Sequence, residues 1–333
     1  MSEARFDPIR HEWVVIARDR ERRPSHFRTV AEVGKSGDRC PFCVGNEADT
    51  TTEVLAARAP GASRDGPGWR WRVVTNLFPI VTPDAVGAHS WTPPPEAWRH
   101  AYAHGAHEVV VETTDHAAHP ADYSIPHLAE LIGAFRDRAR AAVAAGFPHV
   151  IVFRNQFAPA GASLLHPHTQ IVGLPHAPAA VDRMHANARR HHAATGRCVT
   201  CDVVAGDTAD GHRVIARSPG LVAYTPYASR FAYEVCIAPT QHPAVAFVDS
   251  DAATAVELAG LVHDVVSRVR SLLRDPAMNW VLHVGPGPLP GVPDHWRFEV
   301  LPRLARIGGF ELGTGVFVNS VAPEDAAARL RAE

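Results

Sequence analysis

Lysine is nearly absent from this chain: of its 33 basic residues only Lys35 is lysine, and it stands in a Gly/Ser-rich stretch that reads as exposed. That scarcity excludes a Gly-x-x-x-x-Gly-Lys-Ser/Thr phosphate loop, and a lysine nucleophile of the ligase type would have to be this one residue. Net charge is equally scarce. With 33 basic against 35 acidic residues the formal charge is -2, so no overall positive field would hold a nucleic-acid backbone or an anionic membrane. No run approaches the ~18 apolar residues of a membrane span, and Met1-Ser-Glu-Ala-Arg-Phe lacks the apolar core of a secretory signal. The expectation is a soluble cytoplasmic protein, with neither nucleic acid nor membrane as partner.

What is present reads as globular. A chain of 333 residues, 46% of them hydrophobic, can bury a large core and form one to three domains. Histidine is abundant at 21 residues, so a single histidine means little and only spacing discriminates. The five cysteines fall as Cys40-Pro-Phe-Cys43, Cys198-Val-Thr-Cys201 and a lone Cys236 in an apolar run. Two C-x-x-C pairs in a cytosolic chain suggest metal sites before disulfides, whereas Cys236 reads as a small buried hydrophobe.

The chain repeats itself. After a strand-like pair in Phe6 to Ala17 and the arginines Arg18, Arg20, Arg22 and Arg23, a first copy runs through Cys40/Cys43, a strand at His107 to Thr113, His116, an amphipathic helix, a strand at His149 to Phe153, and His166-Pro167-His168. The second copy keeps that order: Cys198/Cys201, a strand at Tyr233 to Ala238, His242, a helix, a strand at Trp280 to Val284, and His295-Trp296-Arg297. Both helices rest on apolar spacing, Leu128, Leu131, Ile132, Phe135 and Ala139 in one, Val256, Leu261, Val265, Val269 and Leu272 in the other. The interval from lone histidine to paired motif is 50 residues in one copy and 53 in the other, which indicates duplication. The fold class is therefore α+β: two halves, residues 1–175 and 176–333, sharing a mainly antiparallel sheet with flanking helices. Residues 175–197 read as the connection.

Two thiolates three residues apart can grip one ion from a tight turn, leaving two tetrahedral positions for imidazoles. His116 and His166 can complete the first set with Cys40 and Cys43; His242 and His295 can complete the second with Cys198 and Cys201. Sulfur with imidazole favours Zn2+ over magnesium or calcium. With every position taken by protein, both sites would be structural.

In Gly161-Ala-Ser-Leu-Leu-His166-Pro-His168-Thr-Gln170 two imidazoles stand two residues apart beside small residues that let backbone approach a phosphate. On a strand His166 and His168 would share a face while Pro167 points away. One could be held while the other reacts. An isolated His-Pro-His reads equally well as two half-buried strand histidines.

Taken together, these residues resemble the galactose-1-phosphate uridylyltransferases, a branch of the histidine-triad superfamily. The resemblance covers nearly the whole chain: Arg20-Glu-Arg-Arg-Pro24, Cys40 to Asn46, Arg72-Val-Val-Thr-Asn76-Leu-Phe-Pro79, His107 to His116, Gly161 to Gln170, Gly196-Arg-Cys198, His295 to Arg303 and Gly309-Phe-Glu-Leu-Gly-Thr-Gly315. It implies two histidine-triad-like halves, only the first carrying a nucleophile. It implies that His168 attacks the α-phosphorus of a nucleoside diphosphate sugar, that a sugar 1-phosphate leaves, and that a second sugar phosphate or orthophosphate collects the nucleotidyl group in a ping-pong cycle. By the same resemblance Asn155, Gly161, Ser163 and Gln170 contact the α-phosphate and Asn76 the ribose. Arg20 and Arg23 would reach sugar-phosphate groups across a homodimer interface.

The chain also departs from the pattern. Many members read His-x-His in the second copy, where this one has Arg297, an anion contact or a solvated side chain. His283 matches a metal ligand of some members but lacks its companions. The lysine and glutamine that hold the hexose phosphate in the best-known members have no counterpart in Gly309 to Ser320. Both C-x-x-C pairs, the His-Trp-non-His pattern and the glycine-rich ending also resemble the plant-type ADP-glucose phosphorylase branch, which passes AMP to phosphate. Three readings follow: a UDP-hexose:hexose-1-phosphate uridylyltransferase, an ADP-glucose-type phosphorylase, or a non-catalytic zinc-stabilised nucleotide-binding protein.

Overall fold

A computed structural model describes residues 2–22, 39–83, 103–284 and 295–333. Arg23 and Lys35, singled out above, lie outside the described residues. Short runs rich in valine, isoleucine and aromatics form strands, and their order in space exposes the duplication. The first copy comprises β3 (Glu53–Arg58), β4 (Trp69–Thr75), β5 (Ala106–Val111), α1 (Ile125–Ala144), β6 (His149–Gln156) and β7 (His168–Leu174). The connection is helical, α2 (Ala179–Thr195) followed by α3 (Val199–Thr208). The second copy then gives β8 (Val214–Arg217), β9 (Leu221–Tyr224), β10 (Val235–Pro239), α4 (Ala252–Leu273), β11 (Met278–His283) and β12 (Arg297–Pro302).

These ten strands form one sheet in the order β3-β4-β5-β7-β6-β11-β12-β10-β9-β8, every pair antiparallel. The order is the same five-strand arrangement met twice, joined tail to tail at the β6–β11 seam. There Asn155 stands opposite Asn279. Strands β1 (Glu3–Asp7) and β2 (Glu12–Ile16) pair with each other, and β2 pairs with β13 (Phe317–Asn319) in a second, three-stranded sheet. Val14 and Ile16 of β2 pack on Ala228, Ala322 and Phe317, so the first strands of the chain sit against its second copy. Helices α5 (Gly309–Thr314) and α6 (Pro323–Arg331) flank β13.

The two long helices cover one face of the large sheet and pack against each other. Each has a side-chain cap, Ser124 Oγ accepting from the His127 N–H and Asp251 Oδ1 from the Thr254 N–H. All five apolar positions expected in α1 are buried. In α4 the expectation needs correction: Val256 is 53% exposed. Leu261, Val265 and Val269 are buried as expected and Leu272 packs against the core; Ala255, Leu258, Ala259, Val262 and Val266 complete the stripe, because alanines small enough for close packing carry the first turn. No helix among the described residues is long and apolar enough to cross a membrane.

Alternation along the strands then decides what lies on the uncovered face. In β7, Ile171 joins the helix-side core, while Val172 and Leu174 pack with Val81, Ile151 and Phe153 on the other side. His168 and Gln170 share that second face.

Candidate functional site

His168 opens β7, whereas His166 lies just before the strand. The reason is local. Pro167 has no N–H to give the ladder, but its carbonyl still accepts from the Glu112 N–H at 3.1 Å, so regular pairing begins one residue later. The two rings therefore separate in role. His166 turns to the cysteines; His168, 7% exposed, sits over the sheet with its ring 5.4 Å from that of Phe42. His168 Nδ1 lies 2.8 Å from the His166 carbonyl oxygen. A carbonyl only accepts, so Nδ1 carries the proton and Nε2 keeps its lone pair. Burial lowers the pKa of His168, which favours the same neutral, nucleophilic form.

Under this strand lies a buried polar group. Glu112 Oε1 accepts from Thr169 Oγ1 at 2.7 Å, and Oε2 accepts from Tyr123 Oη at 3.0 Å and from the Arg154 guanidinium. Arg154 also lies over the Trp280 ring at 5.0 Å, and the Trp280 indole N–H donates to Thr169 Oγ1 at 3.2 Å. Two buried charges are thus paired and hydrogen-bonded directly behind His168, which holds β7 in place.

Two carboxamides flank His168. Gln170 Oε1 is 2.9 Å from His107 Nε2, and His107 Nδ1 accepts the Ile80 N–H at 3.1 Å. Asn155 Oδ1 accepts from Asn279 Nδ2 at 2.8 Å, and Asn155 Nδ2 donates to the Gly161 carbonyl at 3.3 Å. Asn279 Nδ2 also donates to the Ala160 carbonyl at 2.8 Å, while its Oδ1 accepts from Arg303 at 3.0 Å. Gly161 has φ 94°, a left-handed conformation that closes this loop and suits glycine. Asn76 joins the group: its Oδ1 accepts from the Phe78 N–H at 2.8 Å and its Nδ2 lies 3.0 Å from His107 Nε2. Ser163 is exposed on the same loop. Arg20 is exposed and stands elsewhere, on the rim of a small cavity with Arg230, Arg306 and Asn319.

Both cysteine–histidine sets assemble. In each, all four ligand atoms lie within 4.8 Å of one another: Cys40, Cys43, His116 and His166, and Cys198, Cys201, His242 and His295. Sulfur-to-nitrogen separations are 3.4 and 3.6 Å from Cys43 to His116 and His166, and 3.7 and 3.3 Å from Cys201 to His242 and His295. These are edge lengths of a tetrahedron with metal–ligand bonds of ~2.0–2.3 Å. The far nitrogens are also fixed, His166 Nε2 on the Thr113 carbonyl at 2.8 Å and His295 Nε2 on the Pro239 carbonyl at 3.2 Å, leaving Nδ1 for the metal. Burial and the neighbouring Cys198 push the Cys201 thiol up to about 12, a resistance to ionisation that a divalent cation between the sulfurs removes. The donor sets fit zinc.

The second copy has no histidine at the place that matches His168. Strand pairing aligns Arg297 with His168, Glu299 with Gln170 and His283 with Asn155. Arg297 is buried, so it is not a solvated side chain; its Nε donates to Glu299 at 3.0 Å. Burial alone would raise the Glu299 carboxyl, but Arg10, His283, Arg230 and Arg297 hold it well below the usual range. This counterpart is a buried ion cluster on the wall of a cavity that Asp7 and Arg10 also line.

His107, Asn279, Arg303 and Phe42 were not read as functional in the sequence. Phe42 had one signal, its place inside the first C-x-x-C pair. His107 stood at the start of a strand already drawn. Arg303 closed a stretch of the family resemblance without a role of its own, and nothing marked Asn279 until the seam set it beside Asn155.

A neutral imidazole with a free Nε2, amide donors around it, and the same strand arrangement repeated without a second such histidine are equipment that suits a nucleotidyltransferase. A family model for the N-terminal domain of galactose-1-phosphate uridyl transferase matches residues 1–178, and a domain of unknown function, DUF4921, matches residues 132–333. The chain is 31% identical over 337 residues to an ADP-glucose phosphorylase of Arabidopsis thaliana, covering 99% of this chain and 92% of that one. It is 26% identical over 348 residues to a galactose-1-phosphate uridylyltransferase of Thermotoga maritima, covering 99% and 98%. Among solved structures, an ADP-glucose phosphorylase from Arabidopsis thaliana with bound ADP-glucose superposes with TM-score 0.83 at 29% identity, covering 99% of both chains. A uridylyltransferase mutant superposes with TM-score 0.73 at 25% identity, covering 100% of this chain and 97% of that one. The chain belongs to the galactose-1-phosphate uridylyltransferase family.

Proposed function

We propose that the chain is a nucleoside diphosphate sugar phosphorylase that forms a covalent nucleotidyl-His168, with ADP-glucose as donor and orthophosphate as acceptor. The observation that carries the covalent step is the His168–His166 contact, which leaves Nε2 unprotonated over a face with amide donors. His168 Nε2 attacks the α-phosphorus; the N–P bond forms as the P–O bond to the sugar phosphate breaks, and sugar 1-phosphate leaves with the bonding pair. Phosphate then attacks the same phosphorus, the N–P bond breaks, and nucleoside diphosphate leaves. Phosphoryl-type transfer is mainly positioning and charge stabilisation. Gln170, Asn155 and Ser163 suit that work on the α-phosphate beside the Gly161 turn, and Asn76 suits the ribose.

Zinc held by Cys40, Cys43, His116 and His166, and by Cys198, Cys201, His242 and His295, would supply rigidity alone, since protein fills every position. Adenine is favoured over uracil by the full-length likeness at 31% identity to the Arabidopsis phosphorylase. The second reading, UDP-hexose:hexose-1-phosphate uridylyl transfer, rests on the Thermotoga relative that spans equally much of this chain. The reading extends to two histidine-triad-like halves, residues 1–175 and 176–333, and to a cytoplasmic homodimer. The exposed Arg20, standing apart from His168, supports a role toward a second copy.

Intact-mass spectrometry after mixing with ADP-glucose, UDP-glucose, UDP-galactose or GDP-sugars, quenched at mildly alkaline pH, tests this. The expected result is one adenylyl adduct, absent in His168→Ala and discharged by phosphate. A uridylyl adduct discharged by hexose 1-phosphate supports the second reading. No adduct from any donor points to a non-catalytic, zinc-stabilised nucleotide-binding protein.

A further inference from the structure

We infer that His107 and Asn279 are positioning residues that lock the two carboxamides beside His168, Gln170 and Asn155, with both NH2 groups facing the phosphate. The inference rests on the nucleotidyl-transfer reading above and names what orients its donors.

A carboxamide has two nearly isosteric ends, and only its neighbours decide which end faces where. Each case here is decided by a group with no choice. The Ile80 backbone N–H can only donate, so His107 Nδ1 accepts. His107 Nε2 then carries the proton and donates to Gln170 Oε1 at 2.9 Å. Gln170 Nε2 is left with both protons for another acceptor. On the other side Arg303 can only donate, which makes the Asn279 oxygen its acceptor and leaves Asn279 Nδ2 as donor. That amide donates to the Ala160 carbonyl and to Asn155 Oδ1, both at 2.8 Å. Asn155 Nδ2 is thereby turned toward the Gly161 carbonyl, along the loop assigned to the phosphate.

Flipping either amide would aim a carbonyl oxygen at an anionic phosphate and also set two donors, or two acceptors, against each other behind it. His107 is 5% exposed and burial lowers its pKa, consistent with a neutral ring that donates from Nε2 only. Asn76 works against this tautomer: its Oδ1 accepts the Phe78 N–H, which leaves its Nδ2 as a second donor 3.0 Å from His107 Nε2, and the assignment rests on the Ile80 N–H at Nδ1. Asn279 and Arg303 belong to the second copy. A half with no nucleophile thus sets a donor for the half that has one.

The test pairs two substitutions of equal length at one position. Gln at position 107 brings an amide N–H close to the place of imidazole Nε2; Met fills similar space with no donor. The rate of nucleotidyl-His168 formation in a single turnover at saturating ADP-glucose, and the donor Kd, are measured for His107→Gln and His107→Met, alone and with Gln170→Ala. We expect His107→Met to form adduct about tenfold more slowly with Kd nearly unchanged, the factor one net hydrogen bond is worth, and His107→Gln to stay within about threefold of wild type. With Gln170→Ala the two should be equal. Asn279→Leu, alone and with Asn155→Ala, carries the same logic at the seam if Met at position 107 impairs folding. Equal rates for His107→Gln and His107→Met with Gln170 present, or a His107→Met deficit that persists without Gln170, overturn the inference while the nucleotidyl reading stands. Absence of any adduct in the wild type overturns both.

Discussion

His168 Nδ1 lies 2.8 Å from the carbonyl oxygen of His166, a residue whose own Nδ1 faces the cysteines. The backbone that sets the tautomer of His168 is therefore anchored by the first cysteine–histidine set. Phe42, between the two cysteines of that set, also forms one wall of the His168 site. Disrupting the first set should reach the reaction through this backbone. We expect Cys43→Ser to slow adduct formation by about ten- to a hundredfold, as outer contacts of metal sites do, with zinc content halved by elemental analysis. Cys201→Ser should also lose zinc and stability, yet leave adduct formation within about threefold where the protein remains folded, because its set backs Arg297. Equal loss of activity at both sites would sink this coupling.

Breaking the ion pair behind β7 should be costly. Glu112 and Arg154 have 0% and 4% exposure, so Glu112→Gln leaves a guanidinium buried without its counter-charge. We expect a loss of about 3–5 kcal/mol, read from urea unfolding monitored by tryptophan fluorescence. Replacing both partners, Glu112→Met with Arg154→Met, should recover much of it. A single-variant loss under about 1 kcal/mol would mean that water reaches this group.

Restoring a histidine at the second copy should not restore chemistry. Arg297 aligns with His168, but where His168 has the amides of Asn155 and Gln170 beside it, Arg297 has His283 and Glu299. A carboxylate repels a phosphate that a carboxamide would bind. In His168→Ala with Arg297→His we expect no nucleotidyl adduct by intact mass; an adduct at position 297 would show that the ion cluster is not what silences this half.

Much of this was legible in the sequence because duplication leaves its mark at fixed spacing. Both metal sets were readable since each C-x-x-C pair and its histidines recur in the same order, and the sheet of two halves follows from the repeated strands. What could not be read depends on pairing across the seam. Asn279 is an ordinary polar residue until β11 is laid against β6, and Arg303 gains meaning only through Asn279. His166 was expected on a strand face, but proline at position 167 delays the ladder. Val256 was expected in the core because periodicity alone does not weigh alanines, whose small side chains let α4 pack closely at Ala255 and Ala259.

Acid should destabilise the fold through His119. Its Nδ1 accepts the Ala121 N–H at 3.0 Å and thereby caps a short helical turn, so protonation there would set two donors face to face. Burial, then the charges of Arg270 and Arg154, push its pKa down to about 4, against about 6.5 in the unfolded chain. The unfolded state thus binds the extra proton between these values. The contribution is complete above pH ~6.5 and is lost as pH falls toward about 4, amounting to ~3 kcal/mol at most. His119→Asn keeps an oxygen cap for the same N–H but cannot titrate. Urea unfolding of both proteins between pH 7 and 4.5 should show the wild type losing stability faster, by up to ~1.4 kcal/mol per pH unit. Other histidines and zinc release affect both proteins alike and cancel in the difference. Parallel curves would mean that His119 is already solvated, and that this cap withstands protonation.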